Sequence, residues 1–218
     1  MGEFVIRDCA LLIRMSGLPA AVNLRELRER LAVASPAVLY HHFCETPLVP
    51  SFDNPDYRND FAVWAKFHLG DRVLAERLGT IDPYAYPDLE ALREQVVELL
   101  DQRLSEVFVV PQAPVGSELF FMEATTVVFD TGRRVARPEE LCRAVERMTT
   151  SSVYYHFLEA RRRTRAGSDD FSAWLTDAGP AYQPAVEALH GIDITFFTLA
   201  ELRAEVVRRL REHGGQPC

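Results

Sequence analysis

Apolar residues recur at helical spacing in several stretches of the chain, and residues that commonly cap helices stand before them. Asn23 with Glu26, and Thr198 with Glu201, have the capping-box spacing, in which two side chains satisfy free backbone N–H groups at a helix start. Glycine follows two of the shorter stretches, as is typical of helix ends. The stretches with this pattern are residues 24–31, 71–78, 89–104, 141–148, 184–190 and 199–210.

The segments 4–15 and 125–129 are ambiguous. The apolar residues from Phe4 to Met15 suit one face of a helix, whereas the sequence Thr-Thr-Val-Val-Phe at 125–129 is β-branched and would suit a strand. We interpret both segments as helical, with a short strand at the start of each half as the alternative. The predicted fold class is therefore mainly α, with about five helices in each half.

The two halves of the chain align with each other. Segment 35–45 matches segment 149–159 at an offset of 114 residues, and later matches follow at an offset of 110, because the first half has a longer loop. The matched polar and aromatic pairs are Tyr40 and Tyr154, His42 and His156, Phe43 and Phe157, Glu45 and Glu159, Asp60 and Asp170, Trp64 and Trp174, Asp82 and Asp193, and Arg93 and Arg203.

This alignment predicts an internal duplication with a boundary that is rich in proline and glycine. Pro111, Pro114 and Gly116 punctuate the connection. We expect a first repeat unit at 1–110, a linker at 111–117 and a second repeat unit at 118–218, with two similar helical units in a pseudo-twofold relation.

Charge and hydropathy exclude some partners. The formal net charge is −8, which disfavours binding to a phosphate backbone, so a nucleic-acid partner is not expected. No apolar run approaches the length of a membrane span, and charged residues interrupt the first segment, so neither a membrane anchor nor a targeting signal is expected. The four cysteines form no Cys-x-x-Cys pair that would indicate a zinc site. We expect a cytoplasmic protein.

The shared motifs resemble those of a known family. The Tyr-x-His-Phe segment at 40–43, the Asn-Asp-Phe segment at 59–61 with Trp64, and the Leu-Gly-x-Ile-Asp segment at 78–82 are similar to an uncharacterised bacterial family, DUF5752, over nearly the whole chain. The resemblance implies no activity, because none is assigned to the family. It also implies a more histidine-rich first segment, close to Tyr-His-x-His-His-Phe. In this chain the segment contains only His41 and His42 in the first half and His156 in the second, which weakens a metal site built on clustered histidines.

Polar residues that recur in both halves are candidates for function. A ligand could contact aromatic, histidine and arginine side chains, and the candidates are Tyr40, His42, Trp64, Arg93, Tyr154, His156, Trp174 and Arg203. The alternative is a metal ion, held by two His-x-x-Glu pairs whose members share one face of a helix. Its ligands would be His42, Glu45, His156 and Glu159.

Each candidate also has a purely structural interpretation, which we favour. The histidines can be buried beside aromatic rings and bonded to a carboxylate, the tryptophans can belong to the core, and Asp60 and Asp170 can cap the helices that follow them. Arg93 and Arg203 can pair with an aspartate, although a ligand phosphate or carboxylate is the alternative.

No recognised catalytic motif is present: the sequence lacks a glycine-rich phosphate loop, a Gly-x-Ser-x-Gly elbow and a His-Glu-x-x-His helix. We therefore predict a non-catalytic binding or regulatory protein for a partner protein or a small ligand. Partner contact could use the proline-rich loop at 44–59. The alternatives are a metal-dependent enzyme or sensor, and an anion-binding regulator that uses Arg93 and Arg203. A metal ion is the cofactor that the first alternative requires, and the sequence implies none strongly.

Overall fold

The computed structural model describes residues 2–49, 57–164, 167–194 and 197–214. The chain divides into two compact units. The continuous unit is Leu11–Thr125, and the discontinuous unit combines Met1–Ala10 with Thr126–Cys218.

Two long strands form a two-stranded antiparallel sheet, and both are divided between the units. They are β1 (Phe4–Met15) and β2 (Met122–Val135). The division passes between residues 10 and 11 in β1 and between residues 125 and 126 in β2.

The prediction of a mainly α fold is wrong, because the structure combines helices with this sheet. Both ambiguous segments are strands and not helices. Phe4, Ile6 and Asp8 are buried at every second position of β1, which is the period of a strand. Sequence could not separate the two periods, because an aspartate at a buried position hides the alternation. The carboxylate of Asp8 is satisfied by the backbone N–H of Cys9 and the hydroxyl of Thr149.

Helices form most of the continuous unit, and their buried leucines form much of its hydrophobic core. A π-helical turn, His41–Glu45, follows α2 (Pro36–Tyr40), and a short 3₁₀ turn, Pro83–Ala85, precedes α5 (Leu89–Glu106). The helices are α1 (Leu24–Val33), α2 (Pro36–Tyr40), α3 (Asp60–Phe67), α4 (Arg72–Gly79) and α5 (Leu89–Glu106).

The discontinuous unit is also mostly helical. A π-helical turn, Tyr154–Glu159, again follows a short helix, and 3₁₀ turns occur at Pro138–Glu140 and Pro180–Tyr182. The helices are α6 (Leu141–Glu146), α7 (Thr150–Val153), α8 (Ala160–Arg163), α9 (Asp170–Ala178), α10 (Gln183–His190) and α11 (Leu199–His213).

The predicted helix starts are confirmed where a local cap defines them. The Asn23 side chain accepts the backbone N–H of Glu26 at the start of α1, and Thr198 forms a full capping box with Glu201 at the start of α11. Local side-chain-to-backbone bonds of this kind depend only on sequence spacing, which is why sequence could find them.

The predicted linker at 111–117 lies within the continuous unit. The backbone N–H of Ala113 bonds to the carbonyl of Val22, and an isolated antiparallel bridge joins Asn23 to Gln112. The repeat boundaries at 1–110 and 118–218 stay a prediction. In the described parts of the chain, no helix combines the length and the apolar character that crossing a membrane requires.

Candidate functional site

In the continuous unit, the π-helical turn His41–Glu45 places His42 between α3 and β2. Its Nδ1 lies 2.6 Å from Oδ2 of Asp60, and its Nε2 lies 2.9 Å from the backbone nitrogen of Met122. His42 and Asp60 are almost completely buried. The site therefore joins a helix start to a strand through one imidazole ring.

The contact with the backbone fixes the protonation pattern of the ring. A backbone N–H can only donate, so Nε2 of His42 is the unprotonated acceptor, and Nδ1 of the neutral ring donates its proton to Asp60. Both ring nitrogens are committed inside the protein. Neither is left to bind a metal ion or to exchange a proton with a substrate.

The discontinuous unit contains the same arrangement. The π-helical turn Tyr154–Glu159 places Nδ1 of His156 2.7 Å from Oδ2 of Asp170, and Nε2 accepts the backbone N–H of Arg7 in β1 at 2.9 Å. The hydroxyl of Ser152 also donates to the carbonyl of Arg7. The tautomer of His156 is therefore the same as that of His42.

The prediction that Asp60 and Asp170 cap their helices is wrong by one residue. Asn59 caps α3 and Asp169 caps α9, each accepting the backbone N–H three residues on. Each following aspartate is the first helical residue, and its carboxylate is free to pair with the histidine.

Both tryptophans bind the chain segment that leads into a strand. Nε1 of Trp64 donates to the carbonyl of Ser117 at 2.8 Å, and Nε1 of Trp174 donates to the carbonyl of Gly2 at 2.9 Å. Trp64 is fully buried. The two indoles were predicted to contact a ligand, but each donates its hydrogen bond to a backbone carbonyl of the chain.

A hydroxyl at the start of each short helix binds a carboxylate of a strand. Ser35 donates to Oε2 of Glu123 at 3.1 Å, and Thr149 donates to Oδ2 of Asp8 at 2.8 Å. With the histidine and tryptophan contacts, three side chains in each unit hold one extended segment.

The two histidine sites differ in exposure. The side chain of Asp60 is 3% exposed, whereas that of Asp170 is 22% exposed and also accepts Nη2 of Arg163 at 3.0 Å. Arg163 lies over the ring of Tyr155, 4.1 Å from its centroid. Burial alone would raise the pKa of Asp170, but the hydrogen bonds from His156 and Arg163 hold that pKa below its ordinary value.

The glutamates of the proposed metal site have other surroundings. Oε2 of Glu45 lies 2.9 Å from Nδ1 of His41, and both side chains are buried. Burial raises the pKa of Glu159, and Oε2 of that residue has no hydrogen-bond partner among the described residues. In the described ranges, no three His, Cys, Asp or Glu side chains are grouped so that they could hold a metal ion.

The remaining predicted residues contribute to packing and to helix ends. Tyr154 is fully buried, and Tyr40 packs against the core of the continuous unit. Arg93 contacts the carbonyl of Ala32 at 3.4 Å, and Arg203 donates to the carbonyl of Met148 at 2.7 Å. The first carbonyl lies at the end of α1 and the second just after α6. Cations are favourable there, because the carbonyl groups at the C-terminal end of a helix carry partial negative charge.

Sequence reasoning did not find a surface groove of about 410 Å³ in the continuous unit. It lies between the end of α4, the 3₁₀ turn and α5. Its polar side chains come from three different elements, so no single motif marks it. Of these side chains, only Asp82 was noted from the sequence, as a residue that recurs in both halves. The lining residues are Arg77, Thr80, Ile81, Asp82, Ala85, Tyr86, Gln95 and Leu99.

Residues 50–56 of the proline-rich loop proposed as a contact surface lie outside the described residues.

Comparison with a family model identifies the family of this chain. A search of curated proteins finds no match. The structure of OrfY from Thermoproteus tenax is similar to this chain with a TM-score of 0.80 and 29% identity, covering 97% of this chain and 95% of that one. The model of a family of unknown function, DUF5752, matches residues 1–211. The chain therefore belongs to the DUF5752 family.

Proposed function

We propose that the protein is a non-catalytic cytoplasmic binding or regulatory protein. One observation carries the proposal: each histidine that recurs in both halves has both ring nitrogens engaged by an aspartate and a backbone N–H. An acid–base or metal-binding role needs at least one accessible ring nitrogen. The recurring polar residues instead organise the fold, so we place function on surfaces outside these sites.

The groove beside α4 and α5 is the surface that best suits a small polar ligand. It offers a carboxylate from Asp82, an amide from Gln95, a phenol ring from Tyr86 and a guanidinium from Arg77. The guanidinium also pairs with Glu106 at 2.9 Å, so it is held in position at the rim. The groove has a volume of about 410 Å³, which falls in the range of small-molecule sites.

Ligand-observed NMR with a panel of sugars, sugar phosphates, amino acids and nucleotides tests this site. We expect at least one class to bind and Gln95→Ala to weaken its binding by about tenfold, the value of one lost hydrogen bond. Gln183→Ala is the matched control, because Gln183 is an exposed glutamine of the other unit. Binding that Gln95→Ala leaves unchanged, or no binding by any compound, would refute the groove as the ligand site.

The alternative of a metal-dependent enzyme or sensor has its own test. Elemental mass spectrometry of untagged protein is expected to find no stoichiometric metal, because His42 and His156 have no free nitrogen. A stoichiometric metal that disappears in the His42→Ala/His156→Ala double variant would favour the metal alternative instead.

We further propose that the chain arose by tandem duplication. The support is that three contacts recur at a constant spacing in the two extended segments that the helical parts bind: the pairs Gly2 and Ser117, Arg7 and Met122, and Asp8 and Glu123 are each separated by 115 positions. Unrelated halves would have no reason to share this spacing.

A further inference from the structure

Each unit holds an extended segment that comes from a distant part of the chain. In the continuous unit, helices within residues 24–106 bind the segment 117–123 through Trp64, His42 and Ser35. The partners in that segment are the carbonyl of Ser117 and the N–H of Met122. The segment therefore follows the 111–117 connection, whereas the helices precede it.

The discontinuous unit reverses this order along the sequence. Helices and turns within residues 141–213 bind the segment 2–8 through Trp174, His156 and Thr149. Here the bound segment precedes the 111–117 connection, and the elements that bind it follow.

Apolar contacts add to the polar ones in both units. Phe121 and Ile6 are almost completely buried. The ring of Phe4 lies 4.9 Å from the centroid of His156, and that of Phe121 lies 6.4 Å from the centroid of His42. Each segment thus combines buried side chains with hydrogen bonds to its backbone, as extended peptides do when they bind a protein surface.

We infer that the parts of the chain on either side of residues 111–117 are reciprocal binding partners, each supplying the extended segment that the helices of the other bind. A cut in this connection leaves residues 2–8 on one fragment and their binding site on the other, and the converse holds for residues 117–123. Two fragments that exchange segments in this way stay together without a covalent link.

A cleavable full-length chain tests the inference. A recognition sequence for a site-specific protease is inserted between Val115 and Gly116, where Val115 is fully exposed and Gly116 lies in a turn. The intact, folded protein is then cleaved and applied to a size-exclusion column at micromolar concentration. We expect one species that contains both fragments in equal amounts.

Variants separate these contacts from other sources of association. His42→Asn and His156→Asn keep a donor for the aspartate and lose the acceptor for the strand N–H. Each is expected to speed exchange with isotope-labelled fragment by about tenfold. His190→Asn is the control, because its ring contacts Ser168 and not a strand. If the histidine variants do not fold, Trp64→Phe replaces them, because it removes the bond to the Ser117 carbonyl and keeps an aromatic ring in the core.

Hydrogen exchange gives a second readout. The amides of Arg7 and Met122 should exchange slowly in the cleaved wild type and rapidly in the His156→Asn and His42→Asn variants, respectively. Fragments that elute separately while each remains folded would overturn the inference. So would exchange rates in the two histidine variants that match those of His190→Asn.

Discussion

Replacing His42 with alanine tests the organisation of the continuous unit directly. The change removes the bonds to Asp60 and to the N–H of Met122, and it leaves the Asp60 carboxylate only 3% exposed with its histidine partner gone. The cost should therefore be that of a buried charge without its partner, and not that of an ordinary surface substitution.

The structure sets the size of the effect. A buried polar group that loses its hydrogen-bond partner costs about 1–3 kcal/mol, and a charged one costs more. His42→Ala leaves both the Asp60 carboxylate and the N–H of Met122 without this partner, so we expect about 4 kcal/mol. His156→Ala should cost less, about 2 kcal/mol, because Asp170 is 22% exposed and keeps its bond to Arg163. The difference of about 2 kcal/mol corresponds to roughly thirtyfold in the folding equilibrium.

Urea unfolding followed by circular dichroism measures both variants. His190→Ala serves as the control and should change the free energy of unfolding by less than about 0.5 kcal/mol, because His190 is exposed. If His42→Ala proves no more harmful than His190→Ala, or less harmful than His156→Ala, the assignment of His42 as a buried link between helix and strand is wrong.

Four further substitutions test other contacts. Glu159→Gln should stabilise the protein near pH 7 and lose this advantage near pH 4. Burial raises the folded-state pKa of Glu159, so the stability that its protonated form contributes is lost as pH rises through that pKa. Urea unfolding at the two pH values measures the difference, and an equal effect at both would contradict burial as the cause. Trp64→Phe should cost about 2 kcal/mol and Trp174→Phe about 1 kcal/mol by the same method, because only Trp64 is fully buried; the reverse order would contradict the assigned burial. Arg203→Ala should cost about 1 kcal/mol through the lost carbonyl contact and should leave any phosphate-induced thermal shift unchanged, whereas loss of such a shift would favour the anion-binding alternative.

Sequence identified the candidate site residues better than it identified their roles. His42, His156, Trp64 and Trp174 were singled out because they recur, and all four lie at the segment-binding contacts. Their partners could not be predicted. His42 bonds a backbone N–H 80 positions away, and His156 bonds one 149 positions away, and a backbone N–H leaves no mark in the sequence.

The groove beside α5 is a second feature that could not be predicted from the sequence. Its polar side chains are ordinary residues of a helix, a turn and a second helix, and they line one surface only where the elements meet. A surface assembled from three elements has no sequence spacing of its own.

The sequence by itself determined the starts of α1 and α11, because the caps at Asn23 and Thr198 are formed by residues only three positions apart. Only the tertiary structure decided that β1 and β2 are strands. Their apolar residues fit either a helix or a strand, and the choice depends on hydrogen bonds between residues more than a hundred positions apart, such as the bond from the N–H of Ser16 to the carbonyl of Phe121. Local interactions are encoded at short spacing and can be found there, whereas the pairing of distant segments is set by the packing of the whole chain.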